Sequence, residues 1–359
     1  MADLHHDLRL AFAEGRAAGA RHRDIAARLG VPEGELIAAH AGLFGAEESP
    51  LKATRLRPPW DTLLGALEPL GELLALTRNP ACVHEKTGVY RGLGGAGPVG
   101  LVLGGAIDLR LFWREWAHGF AVDETLADGR HQRSLQFFDA GGEAVHKVFT
   151  TPATDLEEYC ALVARFMDPR LFHGIDCIGR PAPDAPLADE DIDVTGLRDA
   201  WLAMTDTHEF FGLLRRFKVT RVQGLRLAGR ALAHRIDGGA ARALLTGAAA
   251  SGVPVMVFVG NPGCIQIHTG PVRRVEALGP WLNVLDDGFN LHLREDHIDS
   301  AWVVRKPTAD GIVTSLEVFD AGGLNLAMFF GERKPGQPER ADWRALVAGL
   351  EAEPQPCAR

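Results

Sequence analysis

The chain has 359 residues, 46% of them hydrophobic, and a formal net charge of −9. That length allows two or three domains, and the acidic balance disfavours wholesale nucleic-acid binding while leaving room for a local basic pocket. The five cysteines (Cys82, Cys160, Cys177, Cys264, Cys357) form no C-x-x-C pair, which predicts reduced thiols and a cytoplasmic protein. No run approaches the ~18 apolar residues that suggest a membrane span. The opening Met1-Ala2-Asp3-Leu4-His5-His6 has neither the basic nor the apolar region of a secretory signal.

Residues 3–45 read as helical. Within them, residues 23–36 have the outline of a helix-turn-helix, turning at Gly30 and re-entering at Glu33. The second helix carries Glu33 and Glu35 and no Arg or Lys before Leu43. It would repel phosphate, so the expectation is a helical hairpin capping a domain. Leucines at helical spacing predict another helix over 60–76.

Residues 80–151 then read as short strands broken by glycine-rich turns, with Asp139-Ala140-Gly141-Gly142 as a hairpin turn. Gly92-Leu93-Gly94-Gly95-Ala96-Gly97 matches G-x-G-x-x-G, but a strand-like Pro98-Val99-Gly100-Leu101 follows where a dinucleotide site needs a helix. Residues 154–167 read as an amphipathic helix. Residues 179–193, rich in proline and then in acid, read as a linker.

After the linker the pattern repeats. Residues 79–88 align with 261–270, an offset of 182. Asp108-Leu109-Arg110-Leu111 aligns with Asn290-Leu291-His292-Leu293 at the same offset, and Phe138-Asp139-Ala140-Gly141-Gly142 with Phe319-Asp320-Ala321-Gly322-Gly323 at 181. Matched blocks in order predict a duplicated α+β chain, each half made of helices and a large antiparallel sheet. The expected division is 1–178, a linker over 179–193, and 194–359.

The second half opens on Asp206-Thr207-His208-Glu209-Phe210-Phe211-Gly212-Leu213-Leu214-Arg215-Arg216-Phe217. Asp206 and Glu209 have capping-box spacing. Phe210, Leu213, Leu214 and Phe217 fall on one helical face, and His208, Phe211, Gly212 and Arg215 on the other. From these residues alone, His208 is either a surface histidine or a metal ligand, with Gly212 giving clearance for something flat. The matching first-half region, 25–36, has no histidine.

H-E-x-x-H, EF-hand, P-loop and G-x-S-x-G motifs are absent. What stands out instead is a set of cations in apolar, strand-like settings: Arg110, Arg221, Arg305 with Lys306, and Arg333 with Lys334. Singly, each reads as a surface charge. Together they suggest a pocket for an apolar molecule carrying acidic groups. Haem, a flat ring with two propionates and an iron that takes imidazole, has that character.

With these residues the chain resembles the bacterial cytoplasmic hemin-degrading and haem-trafficking family, the HemS/ChuS/PhuS-like proteins. The resemblance runs through Val83-His84-Glu85-Lys86, Asp108-Leu109-Arg110-Leu111-Phe112, the 208–214 segment, 289–308 and 329–336. It implies a haem cleft between duplicated halves, with His208 as proximal iron ligand and Arg110 on the distal side, also as the catalytic residue. It implies Phe112 beside the ring, and Arg221, Lys306 and Arg333 near the propionates, with Gly212 read as clearance for the porphyrin. Some relatives place a tyrosine near Ala327, and some use the position of His84 in a second, weaker site. The implied functions are haem degradation with iron release or, alternatively, carriage of imported haem to a separate haem oxygenase. The implied partners are an ABC-type haem importer and an electron donor or that downstream oxygenase, with no nucleic acid.

Overall fold

The computed structural model describes residues 2–42, 49–126, 128–170, 174–181, 185–334 and 336–352. In chain order the first half contains helices α1 (Ala2–Ala17), α2 (His22–Leu29) and α3 (Glu33–Ala38), strand β1 (Leu51–Leu56) and helix α4 (Trp60–Gly65). Strands β2 (Gly71–Arg78), β3 (Cys82–Gly88), β4 (Leu93–Ala96), β5 (Val99–Val102) and β6 (Asp108–Phe112) follow. Then come β7 (His118–Thr125), β8 (His131–Phe138), β9 (Ala144–Thr154) and helix α5 (Leu156–Phe166).

The second half repeats that order. It has α6 (Val194–Leu202), α7 (Glu209–Arg216), α8 (Arg221–Ala228), β10 (Ala233–Ile236) and α9 (Ala240–Ser251). Strands β11 (Val255–Asn261), β12 (Cys264–Gly270), β13 (Val275–Leu278), β14 (Trp281–Asp286) and β15 (Phe289–Arg294) come next. It closes with β16 (Ser300–Thr308), β17 (Gly311–Phe319), β18 (Asn325–Gly331) and α10 (Ala341–Ala352).

The chain folds as two units. Unit 1 comprises Met1–Arg78, Glu85–Pro181 and Gly260–Gln266, and unit 2 comprises Asn79–His84, Ala182–Val259 and Ile267–Arg359. In unit 1 the strand run β1-β7-β8-β9-β2 has its copy in unit 2 as β10-β16-β17-β18-β11, and β4-β5-β6 has its copy in β13-β14-β15. The duplication read from sequence is therefore a duplication of topology. It extends to turn chemistry. Asp139 and Asp320 each accept the main-chain N–H three residues on, from Gly142 and Gly323, both glycines at φ 79°. That left-handed backbone is what glycine supplies without a steric cost.

Each unit packs helices on its sheet through two apolar clusters. In unit 1, α1–α3 bury Phe12, Ile25 and Leu36 against Phe120 and Phe138, while α4 and α5 bury Leu63, Tyr159 and Phe166 against Leu73 and Phe137. In unit 2, α6–α8 bury Trp201, Phe210 and Leu214 against Trp302, Val304 and Phe319, and α9 and α10 bury Leu244 and Trp343 against Val257 and Phe329.

Some sequence readings need correction. The helix expected over 60–76 stops at Gly65; a 3-10 turn over Glu68–Leu70 follows, and β2 begins at Gly71. Pro69 in the turn and the positive φ of Gly71 (76°) break the helical run, so Leu73 and Ala75 alternate inward as strand residues. The G-x-G-x-x-G stretch, by contrast, forms the β4–β5 hairpin, in keeping with the strand-like residues that follow it. The expected linker is partly built into unit 2, since Asp189 accepts hydrogen bonds from Gln223 and Arg226 of α8. Ala182, Pro183 and Asp184 of it lie outside the described residues.

Candidate functional site

Helix α7 is short, and its two faces have different jobs. Phe210, Leu213 and Leu214 are buried and Phe217 is half-buried, while His208, Phe211, Gly212 and Arg215 are exposed. This is the division that helical spacing predicts. The expected capping box is absent. Helix α7 begins at Glu209 with His208 as its N-cap and no side-chain capping bond. Asp206 is bent to another use: its Oδ1 accepts from the His208 main-chain N–H (2.8 Å) and stands 2.6 Å from His208 Nδ1. Glu209 instead accepts from the Thr205 hydroxyl at 2.9 Å.

That arrangement gives His208 a defined tautomer. A proton on Nδ1 satisfies Asp206 and leaves the Nε2 lone pair on an imidazole whose side chain is 89% exposed. A carboxylate behind a histidine in this way is the usual support of a metal-ligating imidazole. Hydrogen bonds from His208 hold the Asp206 carboxyl below its ordinary value, and the charge of Arg333 adds to the effect. Arg333 also lies 3.7 Å from Asp310. Arg333's ion pair is thus with Asp310, while Asp206 is held by His208.

Arg221 and Lys306 form a second group in unit 2. Arg221 does not sit in a strand, as its flanking residues suggested. It is the first residue of α8, whose N-cap Thr220 makes a full capping box with Gln223. Its guanidinium grips Glu317 of β17 in a fork, Nε to Oε2 at 2.7 Å and Nη2 to Oε1 at 2.8 Å. Lys306 of β16 donates to Glu317 Oε1 at 2.8 Å. Burial alone would raise the Glu317 carboxyl, but Arg221 and Lys306 outweigh that and hold it well below the carboxylate range. Phe210 closes the group from α7, its ring centroid 4.5 Å from Lys306 Nζ and 5.1 Å from the Arg221 guanidinium carbon. Helix α7 therefore touches the charged group on its inner side and carries His208 outward at its head.

Beside this group the sheet offers an apolar surface. Alternate residues of β11 and β18, Met256, Phe258, Met328 and Phe330, are half-exposed while their neighbours are buried. They pair across the strands as Met256 with Phe330 and Phe258 with Met328. Phe258 and Phe330 meet edge-on at 5.0 Å, and Arg221 Nη2 lies 3.2 Å from Met328 Sδ. These four residues and Glu317 were not singled out from sequence. Ala327 is fully buried in the cluster on the opposite face, so the residue presented here is Met328.

Arg110 and Phe112 belong to unit 1. On β6 they alternate with the buried Leu109 and Leu111 and are half-exposed. Asp108 pairs with the Arg110 guanidinium, which also donates to Leu109 O at 3.2 Å. His84, by contrast, is fully buried in unit 2, its ring 5.0 Å from that of Phe289. Gly212 has no heavy atom within 4 Å of where a Cβ would stand, so nothing within the described residues requires glycine there.

The donors present fit haem: an oriented imidazole, cations for carboxylates, and a partly open aromatic and thioether surface. Comparison with known proteins agrees. The family model described as the haemin-degrading HemS.ChuX domain matches twice, over residues 30–166 and 218–350. The hemin transport protein HmuS of Yersinia pestis is 41% identical over 333 residues, 91% of this chain and 92% of that protein. Holo-PhuS, a heme-binding protein from Pseudomonas aeruginosa, superposes with a TM-score of 0.92 at 47% identity, covering 97% of this chain and 99% of its own. ChuS, a heme degrading enzyme of Escherichia coli O157:H7, superposes at 0.87 with 37% identity, covering 98% and 99%. A duplicated α+β chain with this fold, matched by the same family model in each half, belongs to the haemin-degrading HemS.ChuX family.

Proposed function

We propose that this chain binds haem on unit 2 with His208 Nε2 on the iron, and handles haem as the cargo of bacterial haem utilisation. The observation that carries the reading is the Asp206–His208 pair at the head of α7, in which Nδ1 faces the carboxylate and Nε2 is directed away from it. Arg221, Lys306 and Arg333 supply positive charge for propionates. Met256, Phe258, Met328 and Phe330 supply apolar surface for the ring. Phe112 and Arg110 are assigned to the ring's surroundings and to its distal side, where a guanidinium would stabilise negative charge on a bound ligand. Haem itself supplies the iron and, once reduced, the redox chemistry.

Two fates for the cargo follow. In the first, the macrocycle would be opened by dioxygen, with electrons from a partner, and iron released, Arg110 being the catalytic residue. In the second, it takes haem delivered by an ABC-type importer to a separate haem oxygenase. Incubating the haem complex with a reductant and catalase, and following the Soret band, separates them. Loss of the band with a linear-tetrapyrrole spectrum and chelatable iron establishes degradation. A persistent band that moves only when an acceptor protein is added establishes carriage.

A further inference from the structure

Both buried-side cations of the site are already spoken for. Glu317 is fully enclosed and takes four hydrogen bonds, two from Arg221, one from Lys306 and one from the Ser315 hydroxyl at 3.1 Å. Two cations against one acid leave a single net positive charge. The three side chains are not equally reachable: that of Arg221 is 25% exposed, that of Lys306 is 4%, and that of Glu317 is 0%. A carboxylate arriving from solvent therefore meets Arg221 first, and meets it already forked onto Glu317.

We propose that Glu317 is a built-in competitor for the acidic groups of the ligand, setting how tightly Arg221 and Lys306 hold a carboxylate-bearing ring and how readily they give it up. The inference rests on the haem reading above and adds a release-setting residue to it. Its physical basis is simple. Charges that are paired before the ligand arrives contribute only the difference between the old partner and the new one. A lone Arg–Lys pair would grip a propionate harder, but two buried cations with no counter-ion would destabilise the empty fold. Glu317 resolves both demands at once.

Unit 1 supplies the competing account. There Glu33, the first residue of α3 as Arg221 is of α8, pairs with Lys147 at 2.6 Å and with Arg78. This too is one acid between two cations, but α2 carries no outward histidine at the matching place. A triad of this kind can thus be purely structural, and the test must tell the two roles apart.

Haemin and haem dimethyl ester, which has the same ring without free carboxylates, are loaded on the wild-type chain and on Glu317→Gln. Transfer of each to excess apomyoglobin is then timed. The expected result is haemin transfer slowed about fivefold or more in Glu317→Gln, the ester unchanged, and the Soret position unmoved. Equal or faster haemin transfer, or equal slowing of both ligands, overturns the proposal. Should Glu317→Gln not fold, Glu317→Asp decides: it keeps the charge and draws the carboxylate back from Arg221. A slower haemin transfer with the ester unaffected supports the competitor, and a wild-type ratio of the two rates refutes it. A wild-type chain that binds neither ligand refutes the haem reading instead.

Discussion

A histidine proposed to hold iron needs one ring nitrogen aimed away from its own chain. Asp206 takes Nδ1 of His208 from two residues away and leaves Nε2 in that position, a role that the sequence does not show because the same spacing suits a helix cap. The residue types were right and the geometry was not: a capping box needs the helix to begin one residue after Asp206, and α7 begins at Glu209. Asp206→Asn keeps the size and removes the charge behind the imidazole. Haemin affinity is expected to fall about 10-fold to 100-fold, the usual cost of losing such a partner, and a haemin titration checks it. Unchanged affinity would mean that Asp206 does not orient the ligand.

At the scale of elements, α7 was the most legible part of the chain. Its buried residues were predictable from 3.6-residue spacing, and so was its open face. What spacing does not reveal is why Gly212 is glycine. A Cβ there would meet nothing within 4 Å, so Gly212→Ala should stabilise the unliganded chain by about 1 kcal/mol and raise its melting temperature by about 2–4 °C. If the porphyrin lies against this face, the same methyl weakens haem binding. Calorimetry paired with titration checks both effects; a stabilised variant with wild-type affinity would move the ring elsewhere. Glu317 escaped notice for a different reason. In Ser315-Leu316-Glu317-Val318 it looks like an outward polar residue of an alternating strand. Because helices cover both faces of this sheet, the face that looked outward is interior. Arg221 was misplaced because Val219 and Val222 suggested a strand, and the cap chemistry of Thr220 and Gln223 was read past.

Over the whole molecule, the duplication was plain from matched blocks, and the structure extends it to every helix and strand in order. The halves differ in their chemistry. Counting back from the third helix, His208 stands 13 residues before Arg221 (221 − 208), where unit 1 has Ala20 (33 − 20). Unit 1 does have a histidine at the head of α2, three residues before Ile25. His22 matches Phe210, and it points at Glu124, with Nε2 2.9 Å from the carboxylate. Unit 1 also buries His40, which burial pushes down to about 4, and His146, pushed down to about 3 and held between Thr77 and Tyr90. Both favour the neutral ring when folded, so their contribution is complete above the unfolded value near 6.5. It is lost as pH falls from there through 4 and 3, on the order of 3 kcal/mol for His40. Hydrogen exchange at pH 7 and pH 4 should show protection around His40 and His146 falling at the lower pH; equal protection at both values contradicts this.

The central claim is that one outward histidine of unit 2 binds the iron. It is tested most directly by the Soret spectrum of haemin titrated into the wild-type chain and into His208→Ala. The account predicts a shifted Soret band and a weaker affinity in the variant. A variant whose spectrum and affinity match the wild type would contradict it.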